Sequence, residues 1–237
     1  MWKAEADDDR LEGRVASWMP GSDVRIAYPG IRLRDDVYAI HGHYVDVHLT
    51  VPRIESLAAA LLGRVTGRGR RCTSVLDYEA VLAPIYSLLY SLAQSTPGGK
   101  LQRGGGLSRE VWRRVNDEDG RMGAFLLGRV TIPGAVAAIN RAGFGPFSAT
   151  LTGSELRRSG LRAMGEVVDS LGVEADHVLF GHTHRAGPRP GDDLSEWRSR
   201  GGARLWNTGS WLVDPAFVAT RGPDNPYWPG TVRWTST

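Results

Sequence analysis

The stretch Val178-Leu179-Phe180-Gly181-His182-Thr183-His184 constrains this 237-residue chain more than any other. A short uncharged apolar run reads as a buried strand, and the glycine after it ends the run. The segment before it sharpens the reading. Thr152-Gly153-Ser154-Glu155 is a capping-box sequence, and Leu156, Ala163, Met164, Val167, Val168 and Leu171 continue as an apolar helical stripe that Gly172 stops. A helix that feeds directly into a buried strand argues for an α/β layered architecture over a helical bundle or a sandwich of sheets. Side chains that leave the end of such a strand sit where open α/β sheets place their chemistry. In extended backbone, residues i and i+2 point to the same side, so His182 and His184 are expected to aim into one site. Neutral imidazole is the commonest protein metal ligand. The alternative, a solvent-exposed turn that happens to hold two histidines, gives no reason for the buried strand and the glycine before them.

A second strand delivers histidine in the same way. Val24, Ile26 and Tyr28 alternate on one face, Pro29-Gly30 turns the chain, and Ile31 and Leu33 alternate with arginines. After a second turn at Asp35-Asp36, Val37 to Ile40 reads as a buried strand that ends in His41-Gly42-His43. Asp46-Val47-His48 follows as loop, with His48 at the surface. From residue 53 the period becomes helical. Ile54, Leu57, Ala58, Leu61, Leu62 and Val65 line one helix. Asp77 is read as the cap of a very apolar second helix holding Val81, Leu82, Ile85, Leu88, Leu89 and Leu92, kinked at Pro84. That helix reads as packed against its neighbours; a cap that grips an apolar substrate tail is the sharper alternative. Ser95 to Gly106 reads as a flexible linker, and short helices are expected at 108–116 and 133–142. Ala186 to Gly202 is a long polar loop, and a last strand around Val232-Arg233-Trp234 is expected at a sheet edge.

Gly181-His182-Thr183-His184 resembles the G-H-x-H metal motif of the calcineurin-like metallophosphoesterases, and His41-Gly42 resembles the lone metal-binding histidine which that family carries after another core strand. Asn207-Thr208-Gly209-Ser210 resembles the N-x-G-S turn that comes after G-H-x-H. The resemblance implies a layered α/β sandwich of metallophosphoesterase type, with core segments 22–52 and 153–237 and a helical insertion at 53–150. It also implies a binuclear centre of manganese, iron or zinc, to which His41, His182 and His184 would contribute metal ligands. His43 would be a catalytic, substrate-facing group, a support for the ligands, or a polar loop residue. The implied reaction is hydrolysis of a phosphate mono- or diester in a small phosphorylated substrate by metal-activated water. The carboxylates that such a centre needs come, in the family, from D-x-H, G-D-x-x-D and G-N-H-D/E motifs upstream of the lone histidine. The forty residues before His41 contain none of these. Asp46-Val47-His48 spells D-x-H, but after His41 instead of before it. The expectation is therefore an N-terminally incomplete member with an apolar sheet edge left open and weak metal binding; the alternative is a catalytically inactive binding module derived from the same fold.

Composition adds exclusions. The formal charge is +3, and all but Lys3 and Lys100 of the 29 basic residues are arginine, spread along the chain. Arg109, Arg113 and Arg114 read as a solvated helix face, and no nucleic-acid partner is expected. The single Cys72 leaves no internal disulfide. No apolar run reaches a membrane span and no signal peptide is visible, so a cytoplasmic location is expected. The oligomeric state is not specified by these features.

Overall fold

In the computed structural model, the described residues are 11–24, 27–51, 54–65, 67, 71–95, 132–148, 152–211, 222 and 224–229. Among them four strands form one mixed sheet in the order β1-β2-β3-β4. These are β1 (Gly30–Arg34), β2 (Val37–Ile40), β3 (His177–Phe180) and β4 (Arg204–Asn207). β1 and β2 make an antiparallel hairpin around Asp35-Asp36, whereas β2, β3 and β4 run parallel. The register positions the histidines. Ile40 pairs with Phe180, and Phe180 with Asn207, so the three parallel strands finish level with one another. Backbone bonds continue past the strand ends: Gly181 N donates to His41 O at 3.0 Å and Thr208 N to Phe180 O at 2.8 Å. His41, His182 and Asn207 are thereby delivered to one end of the parallel strands.

The helices are α1 (Leu11–Ser17), α2 (Val45–His48), α3 (Ile54–Val65), α4 (Val75–Ser95), α5 (Ile132–Arg141) and α6 (Gly153–Ser170), with a 3-10 turn at Leu194–Trp197. One buried cluster joins the inner face of the sheet (Ile40, Val178, Phe180, Leu205) to α6 (Leu161, Met164, Val167, Val168), α2 (Val45, Val47) and α4 (Tyr78, Val81, Leu82, Ile85). Each such side chain contributes about 1.5–3 kcal/mol by leaving water. Val81, Leu82 and Ile85 of the apolar stripe of α4 pack into the shared core, as the packed-helix reading expects, whereas Leu88 of the same stripe is exposed. Ala60, Val136 and Phe147 form a separate small cluster between α3 and α5.

The cap of α6 follows the sequence: Thr152 Oγ1 accepts from Glu155 N at 3.2 Å. At α4 the cap lies three residues earlier than expected. Ser74 Oγ accepts from Asp77 N at 3.3 Å while Asp77 Oδ2 accepts from Ser74 N at 3.2 Å. Asp77 therefore closes a reciprocal capping box instead of being the cap itself. The segment before β1 also departs from the expected strand. Of the alternating trio, Val24 and Tyr28 lie outside any strand and Ile26 outside the described residues. β1 already occupies that side of β2, and Tyr28 turns away to donate its hydroxyl proton to Glu79 of α4. The sheet edge differs as well. Among the described residues one edge is β1, which exposes Arg32 and Arg34 together with Ile31 and Leu33, so this edge is mixed in polarity and not simply apolar.

The linker after Ser95, the helix at 108–116 with Arg109, Arg113 and Arg114, and the strand at 232–234 lie outside the described residues. Among the described residues no helix is long and apolar enough to cross a membrane.

Candidate functional site

Beyond β2 the chain turns sharply at Gly42, whose φ of +103° is one that side-chain-bearing residues rarely adopt. The turn leads at once into α2, and this changes the reading of Asp46. It is not a loop residue: it is held in α2 and only 1% exposed. Its Oδ2 lies 3.0 Å from His182 Nε2 and accepts the Tyr86 hydroxyl of α4 at 2.5 Å. Nearby, His41 and His43 approach through their Nδ1 atoms at 3.2 Å. The His41 ring meets that of His182 edge-on, with centroids 5.4 Å apart. His41, His43, His182 and Asp46 therefore form one cluster at the ends of β2 and β3. His48 is not a surface residue; it is half-buried and its Nε2 lies 2.7 Å from the Tyr78 hydroxyl.

The turn that carries His182 and His184 is not extended. Both residues hold positive φ, 66° and 61°, a left-handed conformation that costs roughly 1–2 kcal/mol per side-chain-bearing residue. The rule that i and i+2 share a side does not apply to it. His182 turns inward, with 18% of its side chain exposed, while His184 stays at the exposed rim. Two sets of contacts hold the turn. On one side Asn207, 2% exposed, donates through Nδ2 to Thr183 Oγ1 at 2.6 Å and to Gly181 O at 3.4 Å, and its Oδ1 accepts Gly209 N at 2.9 Å. On the other, Arg185 forks onto Asp192 at 3.0 and 2.8 Å and lies over the Trp197 ring.

The Asp192 pair has a measurable consequence. Burial raises the pKa of this carboxyl, but the Arg185 fork, the Arg189 N–H and Arg157 outweigh burial and hold it below its ordinary value. A folded pKa below the unfolded one, which is about 3.9, means that the stabilisation is complete above roughly pH 4 and is lost as pH falls through the folded value. Asp192→Asn should flatten the acid limb of a stability-versus-pH curve. An unaltered limb would place the acid-sensitive interaction elsewhere.

Burial, and then the neighbouring His182, His43 and His184, lower the pKa of His41. Burial also lowers that of His43, against the pull of Glu79. Both rings are therefore neutral near pH 7, the form in which imidazole binds metal. Burial works against the charge on Glu79, but hydrogen bonds from Tyr28 and Tyr44 prevail and hold its pKa low. The Tyr44 hydroxyl, raised by burial and by its bond to Glu79, stays protonated and serves as a donor.

The donor set can be compared with what a cation requires. With metal–ligand bonds of about 2.0–2.2 Å, two ligands at right angles on one cation lie about 3 Å apart. The His182–Asp46 separation of 3.0 Å and the His41–His43 separation of 3.2 Å both meet this condition. Among the described residues, however, no three His, Cys, Asp or Glu side chains are arranged to hold one ion. The fit is in pairs, and a third ligand requires the His41 ring to rotate toward the His182–Asp46 pair.

These features define a compact imidazole and carboxylate cluster at the ends of parallel strands. No protein-family model matches the chain, and no curated protein or solved structure matches it. The geometry must therefore carry any functional reading. Four contributors to the site do not stand out in the amino-acid sequence. Asp46 is visible there as part of D-x-H but lies on the wrong side of His41 for the family motif, whereas Glu79, Tyr44 and Tyr86 give no signal beyond their neighbours' helical or strand pattern.

Proposed function

We propose that this site belongs to a metal-dependent phosphoesterase of the metallophosphoesterase type. The observation that carries the reading is the buried Asp46 carboxylate beside His182, because it supplies the negative charge that histidines alone lack. His41, His182 and Asp46 would hold one divalent cation, manganese, iron or zinc, and His184 at the rim would contribute to a second. A bound metal would polarise a phosphoryl oxygen and make water acidic enough to attack near neutral pH.

The chain's own residues prepare the rest. Tyr86 donates to Asp46 Oδ2 and fixes the carboxylate against His182. Glu79 Oε1, 3.7 Å from His43 Nε2, favours the proton on that nitrogen. When His43 takes up a second proton, the same carboxylate compensates the charge, so His43 is placed to hand a proton to a leaving alcohol. A small phosphorylated substrate would lie between His43 and the rim at His184.

Titration of the purified chain with manganese or zinc, followed by calorimetry, tests this. His182→Ala should weaken binding by roughly tenfold or more and remove manganese-stimulated hydrolysis of an aryl phosphate. If the wild-type chain binds neither metal, or if His182→Ala binds as tightly, the reading fails. Metal binding without turnover would favour the inactive binding module.

A further inference from the structure

On the side of His43 away from His41, α4 presents a carboxylate whose hydrogen bonds are lopsided. The Tyr44 hydroxyl donates to Glu79 Oε1 at 2.6 Å, and the Tyr28 hydroxyl donates to the same oxygen. Among the described residues the other oxygen, Oε2, accepts no hydrogen bond, and 32% of the Glu79 side chain is open to solvent. Aromatic surface flanks it. The Tyr28 ring is exposed and stands 6.3 Å from the His43 ring, which itself lies 5.9 Å from that of Tyr86.

An anionic oxygen with a free lone pair, beside an exposed tyrosine that meets the same carboxylate through its hydroxyl, suits a cation. Ammonium groups are drawn both to carboxylates and to aromatic rings. The same charge repels a second phosphate at that place. A carboxylate kept only to anchor Tyr28 and Tyr44 would do so equally well as an amide, whose oxygen accepts the same bonds. The charge serves His43 through Oε1, which leaves Oε2 as the part of the carboxylate still open to a ligand.

We propose that Glu79 and the Tyr28 ring form a leaving-group subsite that selects phosphoesters whose alcohol carries an ammonium group. This rests on the phosphoesterase reading of the adjoining histidine cluster. The short reach from His43 to Glu79 fits an amino alcohol with a two-carbon spacer between oxygen and nitrogen. Substrates that carry further phosphates on the alcohol are disfavoured.

The test uses non-hydrolysable ligands, so that it does not depend on turnover. Trimethylammoniopropylphosphonate and its neutral tert-butyl isostere are titrated into the manganese-treated chain and followed by calorimetry. The cationic ligand should bind about tenfold more tightly than the isostere. In Glu79→Gln, whose amide oxygen still receives Tyr44, that ratio should fall close to one. In Tyr28→Leu, which removes the aromatic ring at an exposed position, the ratio should fall part of the way. Circular dichroism reports whether each variant is folded, and Tyr28→Leu decides the matter should Glu79→Gln not fold. Equal affinities in the wild-type chain, or a ratio that survives both substitutions, overturn the subsite and leave the phosphoesterase reading standing. Failure of the wild-type chain to bind either phosphonate overturns both.

Discussion

On the proposed phosphoesterase function, replacing Asp46 by alanine should lower metal-stimulated hydrolysis by roughly a hundredfold or more, and it should destabilise the fold by about 2–3 kcal/mol, the scale of hydrogen bonds to a charged group. The carboxylate is 1% exposed and serves two partners, His182 at 3.0 Å and Tyr86 at 2.5 Å. Alanine leaves the Tyr86 hydroxyl without its acceptor and removes the only carboxylate in contact with His182 among the described residues. Asparagine separates the two effects. It keeps the shape and one acceptor oxygen but lacks the charge, so Asp46→Asn should regain much of the stability and little of the metal affinity. Urea unfolding and calorimetry read the two quantities independently. An asparagine variant that binds manganese as the parent does would make Asp46 a structural acceptor only.

Asn207→Ala is expected to act on the site without removing any group from the cluster. The side chain satisfies Gly209 N, and it donates to Thr183 Oγ1 and Gly181 O on either side of His182. Its loss leaves a buried amide without a partner and frees a turn held at φ values of 66° and 61°. Orphaned groups of this kind cost about 1–3 kcal/mol each, so a loss of about 2–4 kcal/mol is expected. Metal affinity should fall with it, because His182 can then relax away from Asp46. Asn207→Asp keeps the acceptor for Gly209 N but sets a buried carboxylate against Gly181 O, and should show the affinity loss as well. If only stability changes, the turn is held by the Arg185–Asp192 fork and not by Asn207.

The elements that can be read directly are those whose signal is local. A four-residue apolar run bounded by turns marks β2 and β3, and the Thr152-Gly153-Ser154-Glu155 cap marks the start of α6. Sheet register and the level strand ends cannot be read, because pairing between residues some 140 positions apart leaves no periodic trace in either segment. The mixed α/β class is legible; the hairpin strand that covers the edge of β2 shows its residues but not its place. At the site, His41 and His182 are legible as histidines after strands. Their backbone is not, since nothing in Gly-His-Thr-His announces two left-handed residues. Asp46 is hidden for a related reason. Its distance in sequence from the other groups says nothing until the turn at Gly42 and the single helical turn of α2 place it under His182. Glu79 is hidden inside a helix whose apolar pattern draws attention to a different face.

That helix belongs to two parts of the molecule at once. Tyr78, Val81, Leu82 and Ile85 of α4 lie in the shared core, while Glu79 and Tyr86, seven residues apart, reach His43 and Asp46. Seven residues is close to two helical turns, so the pair forms its own stripe, about 100° around the helix from the core stripe. Point changes at 79 can thus retune what the site accepts while the core stripe keeps its place, and changes at 86 do so at some cost, since Tyr86 also packs against the core. A one-residue insertion or deletion within α4 has no such freedom. It would swing both stripes together, bringing a carboxylate toward the core and an apolar side chain toward the histidines. Divergence in this part of the chain is therefore expected to proceed by substitution at fixed length, with changes of length confined to the segments on either side of the helix.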